Sequence, residues 1–271
     1  MQYKRRKGMM LPFKQLAFQA DGSLDLRGCG ARCHLKQFLR VLLLFLSLPM
    51  LPLAAQMNEG ETVADAAVAE NNAMAPIQET PGLPRVLLIG DSISIAYTLP
   101  VRALLKGKAN VLRIPVNGEA SAKPARITAW LGSGKWDVIH FNFGLWDAKI
   151  HGDKPLSDLA TYEQNLRVIA GLLKATGARV IFATTTPVPA LLKPEGRRFD
   201  PIPPYNDVAQ KVMKDNGISI DDLYQVILPH ETNLQRPFDV HYSPEGSQLL
   251  AEAVAASIQA ELPAAKPLTG P

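Results

Sequence analysis

Residues 85–92, RVLLIGDS, decide the fold: a short continuous apolar run ends in a glycine and passes directly into Asp91 and Ser92. A run without the alternation of a half-exposed strand predicts a strand buried on both faces. Similar runs follow at residues 109–116 (ANVLRIPV), 136–143 (WDVIHFNF) and 178–185 (ARVIFATT), with a weaker fifth at 217–220. Between them, residues 94–106, 124–131, 156–176 and 205–216 read as helices. In the third of these Leu159, Tyr162, Leu166, Ile169, Ala170 and Leu173 fall on one stripe, and Gly177 follows as a C-cap. A last helix starts at Ser243 as N-cap and Pro244 as first helical residue, and buries Leu249, Leu250, Val254 and Ile258. Strands alternating with helices predict an α/β domain: a flavodoxin-like, doubly wound sheet of about five parallel strands with helices on both faces. No internal repeat is present.

Outward from this domain, residues 85–262, the chain changes character. Residues 1–37 are basic and irregular, and an apolar run, FLRVLLLFLSLPMLPLAA, spans residues 38–55. A cationic flank, a short apolar core and small residues at its end predict a secretory signal peptide over residues 1–55, with Gln56 as the first mature residue. The run is interrupted by Arg40, Pro49 and Pro52, so a cleaved signal is favoured over a stable membrane anchor, which needs about 20 apolar residues. The expected location is therefore periplasmic or secreted. Residues 56–84 read as a flexible linker and residues 263–271 as a flexible tail.

The overall charge of +4 is carried by the leader. Residues 1–55 hold nine of the 29 basic and two of the 25 acidic residues, which leaves residues 56–271 with a net charge of −3. A mildly acidic domain has no electrostatic footprint for nucleic acid. The cysteines, Cys29 and Cys33, both precede the apolar run, so a processed protein has no disulfide. No metal-ligand spacing occurs, and neither a phosphate loop nor a G-x-S-x-G elbow is present.

In doubly wound sheets ligands bind off the carboxyl ends of the strands. Ser92, Asn117, Gly118, the segment from Gly144 to Asp147 and the loop from Pro187 all fall just past those ends. Ser92 sits on a strand-to-helix turn, where free backbone N–H groups and the helix dipole favour a developing negative charge. Asp91 and Ser92 also suit a plain helix cap. His241, in FDVHYSPEG directly before the last helix, is the natural base; His140 lies inside a strand and reads as a core residue.

On these residues the chain from Arg85 to about Ala260 resembles the SGNH/GDSL hydrolase family. Gly90-Asp91-Ser92 is similar to its first block, Asn117-Gly118 to its second, Gly144-Leu145-Trp146-Asp147 to its third, usually Gly-x-Asn-Asp, and Asp239-Val240-His241 to its last, usually Asp-x-x-His. The resemblance implies the SGNH hydrolase fold, ester hydrolysis through an acyl-enzyme on Ser92, and neither metal nor organic cofactor. It implies Ser92, His241 and Asp239 as catalytic residues, an oxyanion hole from Ser92, Gly118 and Asn142, and substrate contacts from Asp91, Asn117, Trp146 and Asp147. Two positions depart from the pattern. Trp146 stands where the family's Asn supplies an oxyanion donor, and Asn142 is the candidate substitute. Phe238 stands three residues before His241, where the acid is usual. Either Asp239 orients the imidazole from a shifted backbone, or the site works as a Ser–His dyad.

Three functions follow. The first is an exported esterase that deacylates acetylated carbohydrate, a small molecule or a polysaccharide. The second is a lipid or thioester acylhydrolase of the same fold. The third is a catalytically weak carbohydrate-binding protein, favoured by the two departures. The Pro-rich segment 187–204, with Arg197 and Arg198, overhangs the crevice as a lid or as a plain surface excursion. The sequence carries no signal for an oligomeric state.

Overall fold

The computed structural model describes residues 63–194 and 196–263. The leader at residues 1–55, with Cys29 and Cys33, and the tail from residue 264 lie outside the described residues. The domain is a five-stranded parallel sheet formed by β1 (Arg85–Ile89), β2 (Asn110–Arg113), β3 (Val138–Phe141), β6 (Arg179–Ala183) and β7 (Ser219–Asp221), in the order β2-β1-β3-β6-β7. Strands β4 (Ile150–His151) and β5 (Lys154–Pro155) form a separate antiparallel hairpin. The five strands coincide with the five apolar runs and carry the expected flavodoxin-like order, in which β1 and β3 flank the switch point.

Each strand has two faces, and each face has its own helices. Leu87, Ile89, Ile139, Phe141, Val180 and Phe182 meet α5 (Leu159–Lys174) and α6 (Ile202–Asn216) in one core. Val86, Leu88, Val138, Ile181 and Ala183 meet α2 (Ser92–Leu104) and α9 (Pro244–Glu261) in the other. The alternation explains why the runs are continuous: both parities are buried. Short helices α3 (Arg126–Leu131), α4 (Leu145–Ala148), α7 (Leu223–Ile227) and α8 (Glu231–Leu234) fill the connections. The caps are chemical. Asp91, Asp158, Asp222 and Ser243 each accept a hydrogen bond from a backbone N–H in the first turn of the helix they start.

The described part of the expected linker is partly ordered. Residues Val63–Met74 form helix α1, which packs on α2. Ala73 is buried, and the Arg102 guanidinium of α2 donates to the Asn72 and Ala75 carbonyls at 3.1 and 3.4 Å. These are orphan carbonyls at a helix C-terminus, which a cation satisfies well. Further on, the Asn110 side chain exchanges hydrogen bonds with the Thr80 backbone, and Glu79 pairs with Arg85 at 2.6 Å. The Ala- and Asn-rich composition concealed this helix, because its stability comes from docking rather than from an apolar stripe of its own. Among the described residues no helix is long and apolar enough to cross a membrane.

Candidate active site

The nucleophile turn is made by β1 running into α2. At Gly90 a Cβ would meet Ser94 Cβ and Oγ at 2.8 Å, and at Gly118 it would meet the Gly90 carbonyl oxygen at 2.8 Å. Both glycines are therefore required by close approach, not by flexibility. The Gly118 N–H donates to the Gly90 carbonyl at 2.9 Å. Beneath the turn lies Arg113, 7% exposed, whose guanidinium donates to Ser94 Oγ at 2.7 Å, to Gly90 O at 2.9 Å and to Asp91 O at 3.1 Å. Burial pushes the Arg113 guanidinium down to about 10, so it still carries its charge at neutral pH. The turn thus holds Ser92 at the first helical position, where its own N–H has no carbonyl four residues back within the helix.

The base arrives from a second closed loop. The Arg236 N–H donates to the His241 carbonyl at 2.8 Å, and the Ser243 N–H to the Leu234 carbonyl at 2.8 Å. His241 Nε2 lies 2.8 Å from Ser92 Oγ, and His241 Nδ1 lies 3.0 Å from Asp239 Oδ2. A carboxylate only accepts, so Nδ1 carries the proton and donates to Asp239, leaving Nε2 to accept from the Ser92 hydroxyl.

Asp239 is brought into line by the residue before it. Phe238 has a φ of 61°, an unusual left-handed backbone for a bulky side chain. Its carbonyl accepts from the Lys193 N–H at 2.8 Å, and its ring sits 4.5 Å from Lys193 Nζ, on the side of the 187–204 segment. The chain reverses there, and the following carboxylate turns back onto His241. The spacing is therefore one residue shorter than Asp-x-x-His. Burial alone would raise the Asp239 carboxyl. The His241 hydrogen bond and charge, the Val240 N–H and the Arg197 guanidinium outweigh burial and hold it below the usual carboxylate range.

Four of the other expected site residues are engaged elsewhere. Asn142 Nδ2 donates to the Ala183 carbonyl at 2.8 Å and to Thr185 Oγ1 at 3.4 Å, clamping β3 to β6 rather than pointing a free donor at Ser92. Asp147 is fully buried and accepts from Ser121 Oγ at 2.6 Å and from the Ser121 N–H, so it organises the loop after β2 and does not face substrate. Burial raises the Asp147 carboxyl, against the opposing serine hydrogen bonds. Asp91 is 3% exposed and caps α2 through the Ile93 N–H; burial raises its carboxyl too. Asn117 Oδ1 accepts from the Glu119 N–H in a local turn. The amide of Gly118, expected at the oxyanion, is engaged with Gly90 as described. Each polar group of this set was legible as being near the crevice, but short polar side chains on tight turns satisfy the turn first.

Trp146 does face the crevice. A cavity of about 60 Å³ opens at Ser92 and His241 and is lined further by Leu145, Trp146, Lys149, Arg197, Phe199 and Val240. The 187–204 segment reaches this cavity because it pairs with the segment after α4. Lys149 bridges Phe199, Ile150 N–H donates to the Arg198 carbonyl at 2.8 Å, and Asp200 N–H donates to the Ala148 carbonyl at 2.8 Å. Arg113, Lys149 and Phe199 were missed from the sequence. Only Arg113 left a signal, as a charge within an apolar strand. His140, read as a core residue, is buried and bonded to Asp221 at 3.0 Å.

The profile of the GDSL-like lipase/acylhydrolase family matches residues 88–249. Comparison with curated protein sequences finds no match. Among solved structures, a lipase/acylhydrolase from Enterococcus faecalis is similar at 22% identity and a TM-score of 0.57, over 68% of this chain and 99% of that one. An acetyl xylan esterase is similar at 19% identity and a TM-score of 0.55, over 64% and 99%. A GDSL-like lipase from Bacteroides thetaiotaomicron is similar at 18% identity and a TM-score of 0.55, over 73% and 99%. At these identities the structures speak for the fold, while the profile covers more than half of the chain. The chain belongs to the GDSL-like lipase/acylhydrolase family and is a hydrolase of ester bonds.

Proposed function

We propose that the protein is an exported serine esterase that removes short acyl groups, acetyl above all, from carbohydrate through an acyl-enzyme on Ser92. The observation that carries the catalytic part is the relay from Asp239 through His241 to Ser92, with contacts of 3.0 and 2.8 Å. His241 takes the proton from Ser92 as Oγ attacks the ester carbonyl. Asp239 holds the imidazole tautomer and stabilises the imidazolium. The Ser92 N–H, at the N-terminus of α2, faces the developing oxyanion, and His241 returns its proton to the leaving alcohol. Water then attacks the acyl-enzyme by the reverse sequence. The Gly118 amide joins the oxyanion hole only if it turns away from the Gly90 carbonyl. Losing one such donor costs roughly 10²–10³ in rate, so the resting arrangement sets a slow background for poor substrates.

A short acyl group is favoured by the cavity at Ser92, whose volume of about 60 Å³ suits an acetyl group rather than a chain. A sugar on the alcohol side is favoured by Trp146 in the cavity lining, where an indole face can stack on a pyranose. An acetyl xylan esterase among the structural relatives is consistent with this choice. The signal-like leader supports export.

A longer acyl chain has one observation in its favour. A groove of about 430 Å³, walled by Pro187, Val188, Leu192 and Phe199, adjoins the cavity. A panel of p-nitrophenyl esters of graded length beside acetylated sugars separates the readings. Rates that fall steeply beyond two to four carbons support the short-acyl reading, and a maximum at eight or more carbons overturns it. Absence of fluorophosphonate labelling at Ser92 in folded protein would sink catalysis altogether and favour a binding protein.

A further inference from the structure

Two cations line the cavity that opens at Ser92, and only one of them, Arg197, pairs with the Asp239–His241–Ser92 relay. Lys149 Nζ lies 4.4 Å from the centre of the Trp146 ring, and among the described residues no carboxylate pairs with it. Arg197 reaches Asp239 Oδ1 at 3.5 Å and donates to the Lys193 carbonyl at 3.1 Å, both through Nη1. Its Nε and Nη2 make no hydrogen bond among the described residues. Asp239, already shared with His241, is thus the one carboxylate paired with either cation among the described residues, in a domain whose net charge over residues 56–271 is −3. The pairing of Lys149 with Phe199 places the cations on one wall, so their convergence is built into the backbone.

The position of that wall assigns it to one side of the substrate. His241 returns its proton to the leaving oxygen, so the alcohol portion lies on the His241 side. Arg197 reaches the Asp239 carboxylate that holds His241, which puts its guanidinium on that side. Resting on the reading of the protein as an esterase, we infer that Lys149 and Arg197 form an anion subsite for the alcohol portion of the substrate, so that the preferred substrate is an ester of an acidic alcohol, such as an acylated sugar bearing a carboxylate. Trp146 then serves two partners, with Lys149 over its ring and the sugar beside it. A charged hydrogen bond to a guanidinium or ammonium group is stronger than a neutral one, and partial exposure of both cations moderates the gain.

Matched esters test this on the full-length protein. The acetate ester of 3-hydroxybenzoate differs from that of 3-hydroxybenzamide in charge and little else. The wild type is expected to prefer the carboxylate by about tenfold in kcat/KM, mostly through KM, with the preference shrinking in high salt. Lys149→Gln is expected to reduce this ratio at least threefold, and Lys149→Glu to bring it to one or below. Moving the carboxylate to the acyl side, as phenyl hemisuccinate against phenyl succinamate, is expected to give no preference. A wild-type ratio near or below one, a ratio unchanged in both Lys149 variants, or an equal preference on the acyl side would overturn the inference. Binding keeps the two readings apart. If no ester is hydrolysed and Ser92 is unreactive, the esterase reading fails. Calorimetric titration of Ser92→Ala protein with 3-hydroxybenzoate against 3-hydroxybenzamide still decides the subsite, with selective binding of the anion upholding it and equal or absent binding rejecting it.

Discussion

His241 Nε2 stands 2.8 Å from Ser92 Oγ across 149 residues of sequence. The two side chains come from the first and last elements of the sheet's winding and meet above the switch point. If this contact is the catalytic one, Ser92→Ala abolishes esterase activity, with kcat down by about 10⁴-fold or more and an unchanged circular dichroism spectrum. Activity retained in that variant would refute the nucleophile.

Asp239 reaches His241 from two residues before it, a spacing that depends on the backbone reversal at Phe238. Asp239→Asn is expected to lower kcat by about 10²- to 10⁴-fold, because the amide can donate to Nδ1 and favour the wrong tautomer. Adding Phe238→Asp to that variant is expected to restore nothing, since position 238 faces Lys193. Recovery in the double variant would show that the usual Asp-x-x-His geometry is reachable.

The same carboxylate gives a pH signature in stability. Its native pKa is held below the unfolded value of about 3.9. A carboxyl depressed in this way stabilises the fold above its unfolded pKa and loses that contribution as pH falls through the native value. The Tm difference between wild type and Asp239→Asn is therefore expected to be present at pH 7 and to close as pH falls below the ordinary carboxylate range. A gap that is constant with pH would show that the ion pairing does not matter to stability.

Gly118 is predicted to be intolerant of any side chain. Gly118→Ala forces a methyl group against the Gly90 carbonyl, at 2.8 Å before relaxation. The expected cost is about 1–3 kcal/mol in denaturant unfolding, with a loss of activity larger than the loss of stability explains, because the turn that aims Ser92 must move. A neutral effect on both would mean that the turn is looser than its hydrogen bonds indicate.

Arg113 is expected to act on the reaction only through position. Arg113→Met removes donors from the Gly90 and Asp91 carbonyls and from Ser94 Oγ, at about 1–3 kcal/mol for a group left unsatisfied. Its kcat is expected to fall while KM for a small acetate ester changes little. A change confined to KM would place Arg113 in substrate binding instead.

Much of this was legible from the chain. Continuous apolar runs ending in glycine announce parallel strands buried on both faces, and β1, β2, β3, β6 and β7 lie within or beside those runs. Ser243 and Pro244 announce the last helix, and His241 stands directly before it. Helix α1 was not legible, because its Ala- and Asn-rich sequence carries no periodic signal and its Asn72 carbonyl is satisfied by Arg102, 30 residues away. The polar residues around the crevice were legible in place but not in duty. Asp147 was expected to contact substrate and Asn142 to complete the oxyanion hole, yet one holds Ser121 and the other holds β6.

The division has a physical cause. Strand burial, helix caps and the tight glycine turn are local properties, written in consecutive residue types, and so Ser92 and His241 could be named from the chain alone. Whether Asp239 turns onto His241, which amides stay free for an oxyanion and which cations line the cavity depend on how the loops fold against one another. A left-handed φ at Phe238, the bridge between Lys149 and Phe199, and a Gly118 amide bonded to Gly90 are set by the folded backbone as a whole. No spacing of letters encodes them, and the surroundings of Ser92 become readable only once the loops are closed.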